Sequence, residues 1–120
     1  MRGQPIYHMC PRPDWEAAEA VGAYEGGPDD RRDGFIHFSA AEHVAESAAK
    51  HRSGETGLVL LTVDAAALGA HLKWEESRGG ALFPHLYGPL PASAVMRADD
   101  VPVGDDGLHI FPPDIPAARA

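Results

Sequence analysis

Three prolines within nine residues make FPHLYGPLP, residues 83–91, the most constrained segment of the chain. Proline fixes φ and has no amide hydrogen, so these three residues exclude a helix and disfavour a central strand. We therefore predict a short edge strand at His85–Leu86–Tyr87. Alternation along a strand places His85 and Tyr87 on one face and Leu86, packed into the core, on the other. The segment is then either one wall of a site or a stiff, buried connection.

Patterning elsewhere predicts a mixture of strands and helices. The run LVLLTVD is almost continuously apolar or β-branched, which is typical of a strand buried on both faces. Asp14 is predicted to cap one helix, and Ser39 with Glu42 matches the capping box S-x-x-E ahead of a second. The Gly- and Asp-rich segment YEGGPDDRRDG is predicted to be a loop. We predict an α+β domain with five or six strands, mainly at 5–9, 34–39, 58–64, 71–76 and 93–101, and helices at 15–21 and about 40–51.

Length and charge limit the classes of function. A chain of 120 residues forms one domain, and its net charge of −8 disfavours a large nucleic-acid interface or an anionic membrane surface as partner. A small anionic ligand is compatible with this charge if local dipoles and a few histidines bind it. The single cysteine, Cys10, excludes an internal disulfide. With no apolar run long enough for a signal peptide or a membrane span, we predict a cytoplasmic protein.

The chain contains seven histidines, and three of them fall on predicted strands beside an aromatic residue. These are His8, His37 and His85, and we predict that at least His8 and His37 line one cleft. The glycine-rich, P-loop and serine-hydrolase motifs are missing from the sequence, as are H-E-x-x-H and C-x-x-C. A Rossmann-type nucleotide site is therefore disfavoured. The other histidines are predicted on a solvated helix face or near loops: His43, His51, His71 and His109.

Several strings of the sequence together resemble one family. IYHM, Trp15, the GAY at 22–24, DGFIHFSAAEHV, KWEES and FPHLYGPL are similar to the bacterial domain-of-unknown-function 952 family. The resemblance covers about residues 5–96, and DGFIH-x-S and FPHLYGPL are its specific parts. Residues 104–120 then form a C-terminal extension. Ala40 and His43 depart from the family pattern, which has Thr and Gln there, so one hydroxyl contact with a ligand is in question.

That family is grouped by similarity with the ADP-ribosyltransferase fold, which includes toxins, poly-ADP-ribose polymerases and tRNA 2′-phosphotransferase. The resemblance implies a split, strongly curved β-structure with two or three short helices that grips NAD in a cleft. It also implies a transferase or glycohydrolase. In such enzymes an early strand carries His or Arg, a second strand ends in aromatic or Ser/Thr residues, and a later strand often carries Glu. The matching positions are His8 for the first, His37 with Ser39 for the second, and Glu75, His85 or Tyr87 for the third.

The chemistry of NAD cleavage explains why these residue types suit the site. Breaking the nicotinamide–ribose bond passes through an oxocarbenium-like state, which a nearby carboxylate stabilises. Ribose hydroxyls need donors, the pyridine ring needs an aromatic surface such as Tyr24, and a helix N-terminus offers N–H groups to a phosphate. Capping alone for Ser39 and core packing for Trp74 are the simpler interpretations. We predict Glu75 and His85 as catalytic residues, and His8, His37, Ser39, Tyr87 and Trp74 as residues that bind NAD.

Two alternatives belong to other classes of protein. His8, His37 and His85 with Glu75 would form a three-histidine, one-carboxylate set suited to Zn²⁺ or Fe²⁺. These histidines do not follow a close metal-ligand spacing, so we expect no bound metal. The second alternative is a catalytically silent module that keeps the cleft for a small molecule or a partner.

Overall fold

The computed structural model describes residues 4–115, which form an α+β arrangement of antiparallel sheets. Its strands are β1 (Pro5–Pro11), β2 (Ala23–Tyr24), β3 (Ile36–His37), β4 (Ser39–Ala40), β5 (Leu58–Asp64), β6 (Leu72–Glu76), β7 (Leu82–Leu86), β8 (Leu90–Pro91) and β9 (Val95–Asp100). Its α-helices are α1 (Arg12–Val21), α2 (Pro28–Asp33) and α3 (Ala41–His51). Short 3-10 helices lie at Ala65–His71, Arg78–Gly80 and Ala92–Ala94. None of the described helices is long and apolar enough to cross a membrane.

The largest sheet is four-stranded, in the order β4-β1-β5-β9, and β5 pairs with β1 on one side and β9 on the other. The prediction that this strand is buried on both faces is confirmed, because every residue from Leu58 to Val63 is buried. Leu58 and Leu60 pack in a cluster with α3. Val59, Leu61 and Val63 pack in a second cluster with α1 and with residues of the smaller sheets. The four-stranded sheet therefore separates two apolar layers.

The three-stranded sheet has the order β3-β7-β6. The predicted edge strand in FPHLYGPLP is wrong, because β7 is the central strand of this sheet. Pro84 is tolerated there because its carbonyl accepts the Phe38 N–H at 3.0 Å, where the two-residue β3 has ended. In an antiparallel sheet, the N–H and C=O groups of one residue point to the same neighbouring strand. The N–H that Pro84 lacks would therefore point toward the end of β3, where the pairing of β3 with β7 stops. Pairing with β6 continues past Pro84, which is opposite Trp74.

The segment YEGGPDDRRDG is not a loop throughout, because it contains α2. This helix has Pro28 in its first turn, Asp29 and Asp30 near its start and two arginines in its last turn. Proline in the first turn lacks only a hydrogen that has no helical partner there, and these charges complement the helix dipole. Gly34 ends the helix in the left-handed region with φ of 85°. Composition predicted a loop because Gly, Pro and Asp are common in loops as well as at helix ends.

The predicted helix caps are correct only in part. Gly22 ends α1 as expected, but Asp14 lies in the first turn and Pro11 occupies the cap position. The capping box is wrong: α3 begins at Ala41, and the Ser39 hydroxyl instead donates to Ser47 Oγ at 3.3 Å. Within the predicted extension 104–120, Phe111 and Ile115 pack against the cluster beside α3. Its last five residues lie outside the described part of the chain.

Candidate functional site

One cleft of about 570 Å³ lies among α2, α3 and strands β1, β3 and β7. The prediction that His8 and His37 line one cleft is confirmed, and His85 lines it too. Strand register explains this convergence, since β3–β7 pairing places His37 directly opposite His85. β1–β4 pairing brings Ser39 opposite Tyr7, next to His8. The polar side chains of this wall include His8, Arg32, His37, Ser39, Arg52 and His85.

His8 is buried, and both of its ring nitrogens are bonded within the chain. Nδ1 donates to the His37 carbonyl at 2.6 Å, so Nε2 is the nitrogen that accepts the Tyr24 hydroxyl at 2.8 Å. Burial lowers the pKa of His8, which favours this neutral form. The ring connects β1, β2 and β3. The predicted contact of His8 with a ligand stays a prediction. The same holds for Tyr24 as an aromatic surface for the pyridine ring.

Asp30 places a buried carboxylate beside the cleft, a feature that the sequence analysis missed. Oδ1 accepts the His37 side chain at 2.6 Å and the His37 backbone N–H at 2.9 Å, while Oδ2 accepts the Gly27 N–H at 2.7 Å. Burial alone would raise the pKa of Asp30, but the hydrogen bonds from His37 and Gly27 and the nearby His8 together outweigh it and hold the pKa at about 2. Gly26 permits this approach, because its φ is 90° and a Cβ there would lie 2.6 Å from Asp30 Cβ. Asp30 is therefore an ionised carboxylate held inside the wall.

His37 is held between two carboxylates of α2. Its Nδ1 bonds Asp30, and its Nε2 lies 3.0 Å from Asp33 Oδ2. The hydrogen bond with Asp30 is the main reason that the pKa of His37 is raised. Both nitrogens of His37 thus face carboxylates, which favours its protonated form, and they fasten β3 to α2. Asp33 lies four residues before His37 in the sequence, at the end of α2.

Glu75, His85 and Tyr87 form a second hydrogen-bonded group. Glu75 Oε1 accepts the His85 Nδ1–H at 2.8 Å and the Tyr87 hydroxyl at 2.7 Å. These two bonds, Tyr87 first, lower the pKa of Glu75. Phe35 stacks on the His85 ring with centroids 4.1 Å apart. The prediction that His85 and Tyr87 share a face is confirmed, as is the burial of Leu86 in the core.

The other predicted site residues differ in whether they line the cleft. Ser39 lines it, but as a strand residue and not as a helix cap. Within the described chain, the lining residues do not include Trp74, Glu75 or Tyr87. Trp74 is on the opposite face of β6 from Glu75 and is 37% exposed. Glu75 is connected to the cleft through its bond with His85, and Tyr87 is connected through its bond with Glu75.

Charged side chains of both signs line this cleft, because Asp29 and Asp30 lie there as well as basic residues. Arg32 and Arg52 both line it, along with His37. Arg52 Nη1 pairs with Glu55 at 3.1 Å, and Arg32 pairs with carboxylates of α2. Across residues 4–115, no group of three or more His, Cys, Asp or Glu side chains is arranged to hold a metal ion. The metal-binding alternative therefore has no observation in its favour and stays a prediction.

The fold and this cleft define a small α+β protein of antiparallel sheets with a pocket rich in histidine and arginine. A family model described as "Protein of unknown function (DUF952)" matches residues 9–98, and the chain belongs to that family. The predicted family is thus confirmed over nearly the predicted residues. No curated protein matches the chain.

The solved structures similar to this chain include three of protein CC0527 from Caulobacter crescentus. Its crystal structure is 50% identical with a TM-score of 0.87, covering 89% of this chain and 94% of that one. A double mutant of the same protein gives the same identity and coverage with a TM-score of 0.86. The solution NMR structure is 52% identical with a TM-score of 0.78, covering 87% and 90% of the two chains.

Proposed function

We propose that this protein is an ADP-ribosyltransferase-like domain that binds NAD or an ADP-ribose-related ligand in the cleft. The observation that carries the proposal is the convergence of His8, His37 and His85, from three strands, with Arg32 and Arg52 on one cleft of about 570 Å³. That volume lies within the range of about 300–1,000 Å³ that is usual for small-molecule sites. The two antiparallel sheets that supply these strands support the split β-structure implied by the family resemblance.

The arginines supply the chemistry for the pyrophosphate. A guanidinium carries five N–H donors, and Glu55 occupies only Nη1 of Arg52. The carboxylate partners of Arg32 belong to weak pairs near the surface, which exchange readily for a phosphate. The positive His37 adds to the local field. These donors suit a small anion when it replaces the carboxylate partners of the arginines.

The β3–β7 side of the cleft suits the sugar and the rings. His85 lines the wall there, and Phe35 is stacked on it. Phe83 also lines the cleft and stacks on His43 with centroids 4.9 Å apart. Aromatic faces accept a flat heterocycle, and imidazoles bond ribose hydroxyls. Trp74 has no part in this proposal, because it lies outside the cleft lining.

Calorimetric titration with NAD, ADP-ribose and nicotinamide tests the proposal, with thermal unfolding as a second readout. We expect NAD and ADP-ribose to bind and to raise the melting temperature, since a ligand of the native state must do so. Arg52→Gln should weaken both by at least about tenfold, the loss of one charge-assisted bond. Arg97→Gln is the matched control, because Arg97 is also a carboxylate-paired surface arginine but lies on β9, outside the cleft lining.

Two results would contradict the proposal. If millimolar NAD and ADP-ribose neither bind nor shift the melting temperature, the ligand class is wrong. If Arg52→Gln and Arg97→Gln weaken binding equally, the ligand binds elsewhere on the protein. Binding of NAD without its consumption would favour the catalytically silent module.

A further inference from the structure

We propose that His85 is a catalytic base, whose Nε2 takes the proton of the water or hydroxyl group that attacks the ribose, and that Glu75 is its positioning residue. The inference rests on the proposed function, because it requires NAD in the cleft. It goes further by naming the reaction, which is transfer of ADP-ribose from nicotinamide to an oxygen acceptor. It also separates the roles of two residues that the sequence analysis grouped together as catalytic.

The free nitrogen of His85 distinguishes it from the other two strand histidines of the cleft. His8 bonds the His37 carbonyl and Tyr24, and His37 bonds Asp30 and Asp33. His85 uses Nδ1 for Glu75, and among residues 4–115 no hydrogen bond to its Nε2 is formed. In the neutral imidazole, donation from Nδ1 leaves the lone pair on Nε2. Of the three, His85 is therefore the one that can accept a proton in the cleft.

The ring of His85 is also held in place. A carboxylate on Nδ1 fixes the tautomer and orientation of an imidazole base, which is the arrangement that activates nucleophiles in many hydrolases. Phe35 covers one ring face at 4.1 Å with an interplanar angle of 27°. Side-chain exposure of only 10% leaves His85 little room to rotate. These contacts hold the base in one geometry before a ligand binds.

Glu75 acts through His85 and not on the ligand. Its Oε1 accepts two donors, from His85 and from Tyr87, so the carboxylate is fixed by the same bonds that fix the ring. It is not among the described residues that line the cleft. A carboxylate in this position orients the base and stabilises the imidazolium that forms when the base takes up a proton.

The reaction balances without a further reactant. The bond between ribose C1′ and the pyridinium nitrogen breaks, and its electron pair stays on that nitrogen, which leaves as neutral nicotinamide. A new bond forms between C1′ and the acceptor oxygen. The proton of that oxygen passes to His85 Nε2 and then to solvent. Nothing is oxidised or reduced, and with water as acceptor the products are ADP-ribose, nicotinamide and a proton.

Nicotinamide release and NAD affinity, measured on the same variants, test the inference. General base catalysis typically contributes about 10²–10⁴-fold, so His85→Gln should lower kcat by at least about 100-fold, while Kd for NAD changes less than about threefold. Glu75→Ala should lower kcat by at least about tenfold, and Glu75→Gln, which still accepts the Nδ1–H, should restore part of the loss. His71→Gln is the control, an exposed histidine outside the cleft lining. We expect it to match the wild type.

The outcomes separate the inference from the proposal beneath it. If the wild type does not bind NAD, the proposed function fails and the inference fails with it. If NAD binds but no nicotinamide is released, or if His85→Gln releases it at the wild-type rate, only the inference fails. ¹⁵N NMR of the imidazole gives a readout that a purely structural role for Glu75 would not change. We expect a proton on Nδ1 of His85 in the wild type and on Nε2 in Glu75→Ala, and an unchanged tautomer would overturn the positioning role.

Discussion

β5 and β7 are both central strands of antiparallel sheets, yet they differ in what their two faces do. β5 is apolar from Leu58 to Val63 except for Thr62, and each face is covered by its own apolar cluster. β7 directs Leu86 into the core and His85 into the cleft. A strand covered on both faces contributes stability only, whereas a strand covered on one face is free to carry chemistry on the other. The comparison predicts that substitutions in β5 change stability alone and that substitutions in β7 divide by face.

The largest loss of stability should follow Leu61→Ala in β5. Leu61 is fully buried in the cluster that joins the four-stranded sheet to α1. Truncating a buried leucine leaves a cavity and costs about 2–5 kcal/mol, and the upper half of that range applies where neighbours on both faces prevent collapse. Urea unfolding measures the loss. A cost below about 1 kcal/mol would show that this core relaxes around the cavity and would weaken the comparison.

The next largest loss should follow Leu86→Ala in β7, the buried face of the strand that carries His85. Leu86 is 2% exposed and lies opposite Ile36 and Leu72 in register, so we expect a cost of about 2–4 kcal/mol. The affinity of the Leu86→Ala variant for NAD, measured well below its melting temperature, should be unchanged. His85→Ala should do the reverse, losing turnover with a much smaller loss of stability. Equal losses of stability in the two variants, with turnover unchanged in His85→Ala, would mean that β7 is only a buried connection.

The sequence predicted β5 and α3 well because their signals are local. A continuous apolar run needs burial wherever it lies, and AEHVAESAAKH is helix-forming whatever packs against it. β7 was misplaced because Pro84 argues against a central strand, and only the early end of β3 reveals that its missing donor has no partner to lose. The shared cleft of His8 and His37 was predicted from strand placement and the family resemblance, and the structure adds His85 to it. The strand register then determined which of the ring nitrogens of these histidines form hydrogen bonds within the chain.

Asp30 could not be found from local signals. Its sequence context, GGPDDRRDG, is typical of a solvated loop, and nothing in it distinguishes Asp30 from Asp29. Only the docking of α2 on β3 brings its carboxylate to the ring and backbone of His37. Buried carboxylates occur where hydrogen bonds replace water, and such partners come from tertiary structure. The resemblance to the domain-of-unknown-function 952 family likewise drew attention to His37 without indicating which side chains bind it.

A smaller loss of stability should follow Asp30→Asn, which tests the attachment of the cleft wall. The amide keeps the size of the carboxylate but loses charge-assisted bonds with His37, for which we expect about 1.5–3 kcal/mol in urea unfolding. Asp29→Asn is the matched control, since Asp29 lies on the same helix with its side chain 76% exposed. If both substitutions cost less than about 0.5 kcal/mol, the buried bonds of Asp30 do not hold α2 to β3.

The contribution of the Asp30–His37 pair to the free energy of unfolding should depend on pH, with a maximum at intermediate pH. The folded-state pKa of Asp30, about 2, is below its ordinary 3.8, so its contribution is present above about pH 4 and is lost as pH falls toward 2. The raised pKa of His37 makes its contribution full below about pH 6.5, and that contribution is lost as pH rises through the folded-state value. Subtracting the profile of His37→Asn from that of the wild type removes the opposing effect of His8, whose pKa is lowered.

The difference between these two profiles should be largest between about pH 4 and 6.5, on the order of 2 kcal/mol, and should decline on both sides. Urea unfolding at half-unit steps of pH measures it. The control is Tyr87→Phe, which leaves the bonds between α2 and His37 intact. A difference that is flat from pH 3 to 9 would contradict the ionised pair of Asp30 and His37.

The smallest change of stability should come from Tyr87→Phe, directly after the end of β7. Tyr87 is 36% exposed, and its hydroxyl donates to Glu75 at 2.7 Å near the surface, so stability should change by at most about 0.5 kcal/mol. Glu75 would keep its bond from His85 but lose its second donor. We therefore expect a three- to tenfold fall in nicotinamide release, about 0.7–1.4 kcal/mol, with little change in NAD affinity. A stability loss as large as that of Leu86→Ala, with turnover unchanged, would show that Tyr87 supports the fold and not the site.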